Sequence, residues 1–315
     1  MTLFADRDLA WLIGGILLFL ALATVIGRLL KGRAKSDAAR ATVDNLVARI
    51  NAWWVMVAVF GIAIATGGYG SLVMFAVVSF LAMREFMTLL PTRRADHRAM
   101  VWTFFLFLPA QYWFVATNWY GMFALLIPVY AYLLLPSLQV LAGDTEDFLA
   151  RTSRLQWVLM ICVFCVSHAP ALLMLEIPGY EGQNAKLLLY LVVVTEISDV
   201  LQYTTGKLFG RRKAVPTVSP NKTVEGYLLG GGLAVALGAA LWWATPFSPW
   251  QAALMSLVIV LAGIAGGLVM SAVKRDRQVK DFGALLPGHG GVLDRIDSLC
   301  FSAPLFFHLT RFFFT

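Results

Sequence analysis

Residues 250–297 read WQAALMSLVIVLAGIAGGLVMSAVKRDRQVKDFGALLPGHGGVLDRID, and they divide sharply at Ser271. Residues 250–270 carry no charge, and about 20 apolar residues are enough for a helix to cross a bilayer. Residues 271–297 then hold five basic side chains (Lys274, Arg275, Arg277, Lys280, Arg295), four carboxylates (Asp276, Asp281, Asp294, Asp297), His289 and a glycine-rich turn. Lys and Arg suit phosphate groups. Asp281, Asp294 and Asp297 offer hard oxygen ligands for a cation such as Mg²⁺. The run Pro287-Gly288-His289-Gly290-Gly291 lets backbone approach a ligand where side chains would block it. An apolar span leading into such a cluster points to a metal-assisted phosphate site at a membrane surface.

The apolar pattern recurs along the chain. Segments near 9–27, 53–66, 70–90, 99–116, 119–140, 155–175, 186–206, 226–245, 250–270 and 298–314 make the expected fold an all-α polytopic membrane protein with about ten transmembrane helices. The first segment has neither a basic run before it nor a small-residue cleavage pattern after it, so it reads as a retained anchor. With 59% hydrophobic and 14% charged residues, the composition lies far from that of soluble domains. Net charge is +7, yet 22 of the 25 Lys and Arg residues fall in alternate loops. The positive-inside rule puts those loops in the cytoplasm and both termini opposite, the expected setting being a bacterial inner membrane. No basic stripe interleaved with aromatics suggests nucleic acid. An inverted repeat, which a secondary transporter would carry, is also absent. Cys162, Cys165 and His168 share a helix face, but a structural zinc site wants four ligands and no fourth is evident, so they read as core.

Two connections carry signals of their own. Residues 28–49 are basic and Ala-rich, fitting either an amphipathic surface helix or a plain topology-setting loop. Arg84 and Glu85, at the end of the third segment, pair with each other or snorkel toward headgroups.

The seventh segment places Glu196, Asp199 and Gln202 at i, i+3 and i+6, broadly one face of a helix. Ionisable groups at membrane depth are costly and mark cavities or partners. Asp199 lies roughly 12 Å below the basic loop that follows, within reach of a ligand whose head is at the surface. That loop, 207–225, brings Ser219, Asn221, Lys222, Thr223 and Glu225 to what reads as a helix start, a place suited to an anion.

These residues also form two motifs. Ser271, Lys274, Arg275, Lys280, Asp281, Gly283, Pro287, His289, Gly290, Gly291, Asp294, Arg295 and Asp297 give Ser-x-apolar-Lys-Arg, Lys-Asp-x-Gly, Pro-x-His-Gly-Gly and Asp-Arg-x-Asp. This resembles the signature of the phosphatidate cytidylyltransferase (CDP-diacylglycerol synthase) family. Asp199, Tyr203, Gly206, Phe209, Gly210, Ser219, Pro220, Lys222, Thr223, Glu225 and Gly226 resemble a second region of the same family, with Gln202 where Ala is more usual. One departure stands out: the family's Gly-Asp-Leu-x-Glu-Ser is here Gly266-Gly267-Leu268-Val269-Met270-Ser271, without the Asp and the Glu.

The resemblance implies CMP transfer from CTP to phosphatidic acid, releasing pyrophosphate, with Mg²⁺ and room for a second cation. It implies Asp294 and Asp297 as metal ligands with Asp281 sharing or orienting the ion. Lys274, Arg275, Lys280 and Arg295 would contact phosphates, with Ser271 beside them. Lys222, Ser219, Asn221, Thr223 and Glu225 would hold nucleotide, and Asp199 would meet the substrate from below. His289 either donates to the leaving pyrophosphate or stabilises its loop. Residues 1–154 then form an N-terminal membrane region and 155–315 the catalytic region, with cytoplasmic loops 207–225 and 271–297. Stripes of Gly at 226, 230–232, 263, 266 and 267 permit close helix contact, within one chain or in a homodimer.

Overall fold

Each of the ten apolar segments is helical in the computed structural model, which describes residues 7–33, 36–285 and 290–315. The helices are α1 (Arg7–Arg33), α2 (Asp37–Ala65), α3 (Gly67–Thr88), α4 (Arg94–Ala116), α5 (Tyr120–Val140), α6 (Phe148–Met174), α7 (Asn184–Phe209), α8 (Gly226–Ala240), α9 (Pro249–Asp276) and α10 (Leu293–Phe314). Eight are long and apolar enough to cross a membrane. The other two differ for legible reasons: α8 is short, and α10 opens on Asp294, Arg295 and Asp297. The outer surface is apolar as lipid requires, with Leu18, Phe105, Leu133 and Leu261 all more than half exposed.

The basic connector at 28–49 is largely helix: α1 runs on to Arg33, and α2 begins at Asp37 behind an N-cap in which Ala39 N donates to Ser36 Oγ at 3.2 Å. Lipid tails are as apolar as leucine, so burial alone does not drive these helices together; close packing and interhelical hydrogen bonds do. Tyr190 on α7 donates to Ala252 O on α9 at 2.8 Å and shares a 2.6 Å hydrogen bond with Ser256. The glycine stripes are used inside the chain. A Cβ at Gly230 would stand 2.5 Å from Gln202 Cα, and one at Gly266 would stand 2.6 Å from the Asp297 carbonyl oxygen. Thus α8 closes on α7, and α9 on α10, at backbone distance.

Cys162 and His168 are buried; His168 Nδ1 lies 2.7 Å from Phe164 O and its Nε2 3.2 Å from His308 Nε2, while no cluster of three metal-ligating side chains occurs among the described residues. The mixed-charge stretch 141–154, a connection followed by the first turns of α6, is structural too. Buried Arg151 donates to Asp144 Oδ2 at 2.7 Å and holds its carboxyl below the ordinary range.

Between α7 and α8 stands a two-stranded antiparallel hairpin, β1 (Lys213–Val215) and β2 (Ser219–Thr223), pairing Lys213 with Thr223 and Val215 with Ser219. Residues 219–223 are strand, and the expected helix start lies directly behind them: the chain is helical from Val224, with Thr223 Oγ1 accepting from Gly226 N at 3.1 Å. The hairpin, the ends of α3, α7 and α9, and the starts of α8 and α10 gather at one end of the bundle, where Arg275 Nε on α9 donates to Val218 O at 3.3 Å. Glu176 and Glu181 line a cavity of about 950 Å³ at the opposite end.

Candidate active site

Asp199 and Asp297 face each other across the α7–α10 interface with Ser298 between them. The Ser298 hydroxyl donates to Asp199 Oδ2 at 2.8 Å, and the Ser298 amide donates to Asp297 Oδ1 at 2.8 Å. Each carboxylate thus keeps one oxygen without a protein donor among the described residues. Lys222 and Arg295 lie close enough to interact electrostatically with both. Arg295 Nε is buried and has no hydrogen-bond partner among the described residues, leaving a donor free for an anion.

The hairpin delivers Lys222 into this space. A Cβ on Gly267 would stand 2.9 Å from Lys222 Nζ and 3.6 Å from Ser298 Oγ, so the bare backbone of α9 makes room for the ammonium. Gly267 is the position where the resembled motif carries Asp. In this chain a cation sits against that position instead, 5.7 Å above the Tyr227 ring.

Asp294 is one helical turn from Asp297 but is turned elsewhere. Its Oδ1 accepts from Lys274 Nζ at 2.8 Å, and its Oδ2 accepts from Phe282 N at 2.8 Å and Gly291 N at 2.9 Å. Lys274 and Asp294 are 9% and 5% exposed, so this is a buried, fully engaged ion pair. Asp281 is exposed beside it: a Cβ at Gly290 would lie 2.8 Å from Asp294 Oδ2 and 3.1 Å from Asp281 Cβ. Gly290, at φ +83°, sits in the left-handed region where glycine is favoured.

Several other expected residues have local partners. Glu225 accepts from the amides of Arg211 and Arg212, each at 3.0 Å, which push its carboxyl down to about 2. Thr223 Oγ1 accepts from Gly226 N at 3.1 Å, and Ser271 Oγ donates to Gly267 O at 2.6 Å. Lys280, Arg275 and Asn221 are exposed at the same end, and Ser219 is half-buried on β2. His289 lies outside the described residues.

Glu85 is the residue that sequence reasoning missed. It does not pair with Arg84, which is exposed, and it does not snorkel; it is 5% exposed and accepts from Val292 N and Leu293 N, each at 3.0 Å, from 207 and 208 residues away. The one available signal was a carboxylate inside an otherwise apolar segment.

The arrangement can be tested for Mg²⁺, which favours one or two carboxylates completed by water and substrate phosphates over an all-protein cage. Asp199 and Asp297, each with a free oxygen, fit that description. Asp294, with both oxygens taken by the protein, does not.

A family model described as "Cytidylyltransferase family" matches residues 47–313. Uncharacterized protein YnbB of Escherichia coli (strain K12) is 41% identical over 295 residues, covering 93% of this chain and 95% of its own. Phosphatidate cytidylyltransferase of Bacillus subtilis (strain 168) is 34% identical over 221 residues, 68% of this chain and 77% of its own. The protein of that name in Mycobacterium leprae (strain TN) is 44% identical over 127 residues, 39% of this chain and 40% of its own.

Proposed function

The chain belongs to the cytidylyltransferase family, and from that premise we propose that it transfers CMP from CTP to phosphatidic acid, giving CDP-diacylglycerol and pyrophosphate. It is a CTP-using nucleotidyltransferase embedded in the membrane. A phosphate oxygen of the lipid attacks the α-phosphorus of CTP; the new P–O bond forms as the bond to the β-phosphate bridge breaks, and the electron pair leaves with pyrophosphate. The lipid phosphate monoester is already largely ionised near neutral pH, so no strong general base is required.

The difficulty is repulsion between two polyanions, and the residues answer it. Lys222 and Arg295 direct positive charge at the space beside Asp199 and Asp297, and preorganised charge away from water stabilises a transferring phosphoryl group. Asp199 and Asp297 would hold Mg²⁺, which when bound neutralises phosphate charge. Ser298 keeps the two carboxylates in register. Lys280, Arg275 and Ser219, at the same end of the bundle, would meet CTP arriving from the cytoplasm of a bacterial cell.

The observation that carries this reading is the Asp199–Ser298–Asp297 bridge beside Arg295 Nε, a donor without a partner among the described residues. The test is incubation of the purified protein with CTP labelled at the α-phosphate and a panel of acceptors: phosphatidic acid, other phosphate-headed lipids, and neutral diacylglycerol. Label entering phosphatidic acid preferentially is the expected outcome. Label entering another lipid phosphate would reassign the acceptor, a reading that Gly267 and Met270 at the motif's Asp and Glu positions favour. Label in no lipid would make the chain a lipid-binding relative without transfer activity.

A further inference from the structure

Three consecutive amides leading into α10 are engaged by carboxylates. Gly291 N donates to Asp294 Oδ2 at 2.9 Å, Val292 N to Glu85 Oε1 at 3.0 Å and Leu293 N to Glu85 Oε2 at 3.0 Å. Amides at a helix start are otherwise unpaired and attract anions, phosphate among them. Here the anion is a side chain from α3. Space for it is cut by glycine: a Cβ on Gly283 would stand 2.7 Å from Glu85 Oε1, and one on Gly291 would stand 2.7 Å from Glu85 Cδ. The glycines near the turn thus admit a protein carboxylate where the sequence suggested a ligand.

Neighbouring contacts make the attachment rigid. Phe86 packs its ring 5.4 Å from that of Phe282, whose amide donates to Asp294 Oδ2 at 2.8 Å, and Asp294 in turn holds Lys274 of α9. One carboxylate on α3 therefore fixes the start of α10, which carries Arg295 and Asp297.

We infer that Glu85 is a positioning residue of the transfer site: it fills the anion hole at the start of α10 and sets the register of Arg295 and Asp297. Substrate phosphates are left to Lys222 and Arg295. Glu85 touches no reacting atom. This inference rests on the proposed CMP transfer.

Glu85→Gln is isosteric, but its amide NH₂ must face a backbone N–H. The expected result is a kcat about tenfold to a hundredfold lower, since small misplacements at a reacting centre cost that much, with KM for CTP within about twofold of the original. In lipid nanodiscs, hydrogen exchange at Val292 and Leu293 should accelerate. Gly291→Ala, which crowds the same carboxylate, should give a similar loss, and the double variant should add little, as for residues acting as a unit. An unchanged kcat per folded molecule, with only thermal stability lowered, would overturn the inference. If the variants do not fold, exchange in the unmodified protein decides: slow exchange at Val292 and Leu293 supports the attachment, and fast exchange overturns it. Absence of transfer by the unmodified protein would count against the proposed function, and the exchange result would still judge the Glu85 contact.

Discussion

Lys222 and Gly267 show how little separates a metal-binding surface from a cation-bearing one. An ammonium stands 2.9 Å from where a Cβ of residue 267 would be, so a single methyl there must displace it. Gly267→Ala should therefore lower CMP transfer by about tenfold, one lost charge–charge contact of about 1.4 kcal/mol. Helix propensity moves the other way, since Ala is better than Gly in a helix interior by about 1 kcal/mol. Activity falling while the melting temperature holds or rises is the expected signature, read by a transfer assay beside thermal unfolding; a matching fall in both would mean ordinary misfolding. Asp294 should behave differently. Asp294→Ala strands the buried Lys274 ammonium, a loss on the order of 3–5 kcal/mol for a broken buried pair, so thermal unfolding should shift strongly downward. A variant as stable as the original would remove the ion pair from the account. The sequence displayed Asp294 and Asp297 as equivalent carboxylates one turn apart, but which oxygens are already taken is a tertiary fact. Only the fold separates the two.

At the scale of elements, the β1–β2 hairpin carries Lys222 to the site and Glu225 anchors its base. The Glu225 carboxyl is depressed to about 2, chiefly by the backbone amides of Arg211 and Arg212. A depressed carboxylate adds stability that is complete above the ordinary Glu value of about 4.3 and is lost as pH falls through the folded value. Exchange at the Arg211 and Arg212 amides should therefore quicken, beyond its intrinsic pH dependence, as pH drops from about 4.3 toward 2. Glu225→Gln should flatten that response; an identical response in the Gln variant would contradict it. The hairpin was hard to read because Ser219-Pro220-Asn221-Lys222-Thr223 has no apolar alternation, and proline is tolerated only on an edge strand. Its pairing follows from the docking of Thr223 against Gly206 and Gly226, a long-range fit that local pattern does not encode. The long apolar helices were legible because a bilayer imposes length and apolarity on each one separately.

For the whole molecule, charge asymmetry and the gathering of site residues give one consistent orientation. On the positive-inside rule we propose that the hairpin end faces the cytoplasm, where CTP is supplied. Cysteines introduced at exposed Thr217 and Glu181 should label from opposite faces, position 217 only from the cytoplasmic side; the native Cys162 and Cys300 are buried and should stay silent. Labelling of both positions from one side would overturn the orientation. What the sequence could not disclose is the closure between halves, because Glu85 meets the start of α10 across 207 residues, while its sequence neighbourhood offered only Arg84 and the headgroups as partners. The central claim is that Asp199 and Asp297, bridged by Ser298, form the cation-holding heart of a CMP-transfer site. It is tested most directly by CMP transfer in Asp199→Asn, Asp297→Asn and Asp281→Asn proteins matched for folding by thermal unfolding. The account predicts that the first two lose activity by at least about a hundredfold, as expected when a term in transition-state charge stabilisation is removed, while Asp281→Asn retains more than either. Full turnover by Asp297→Asn, or a larger loss in Asp281→Asn than in both of the others, would contradict it.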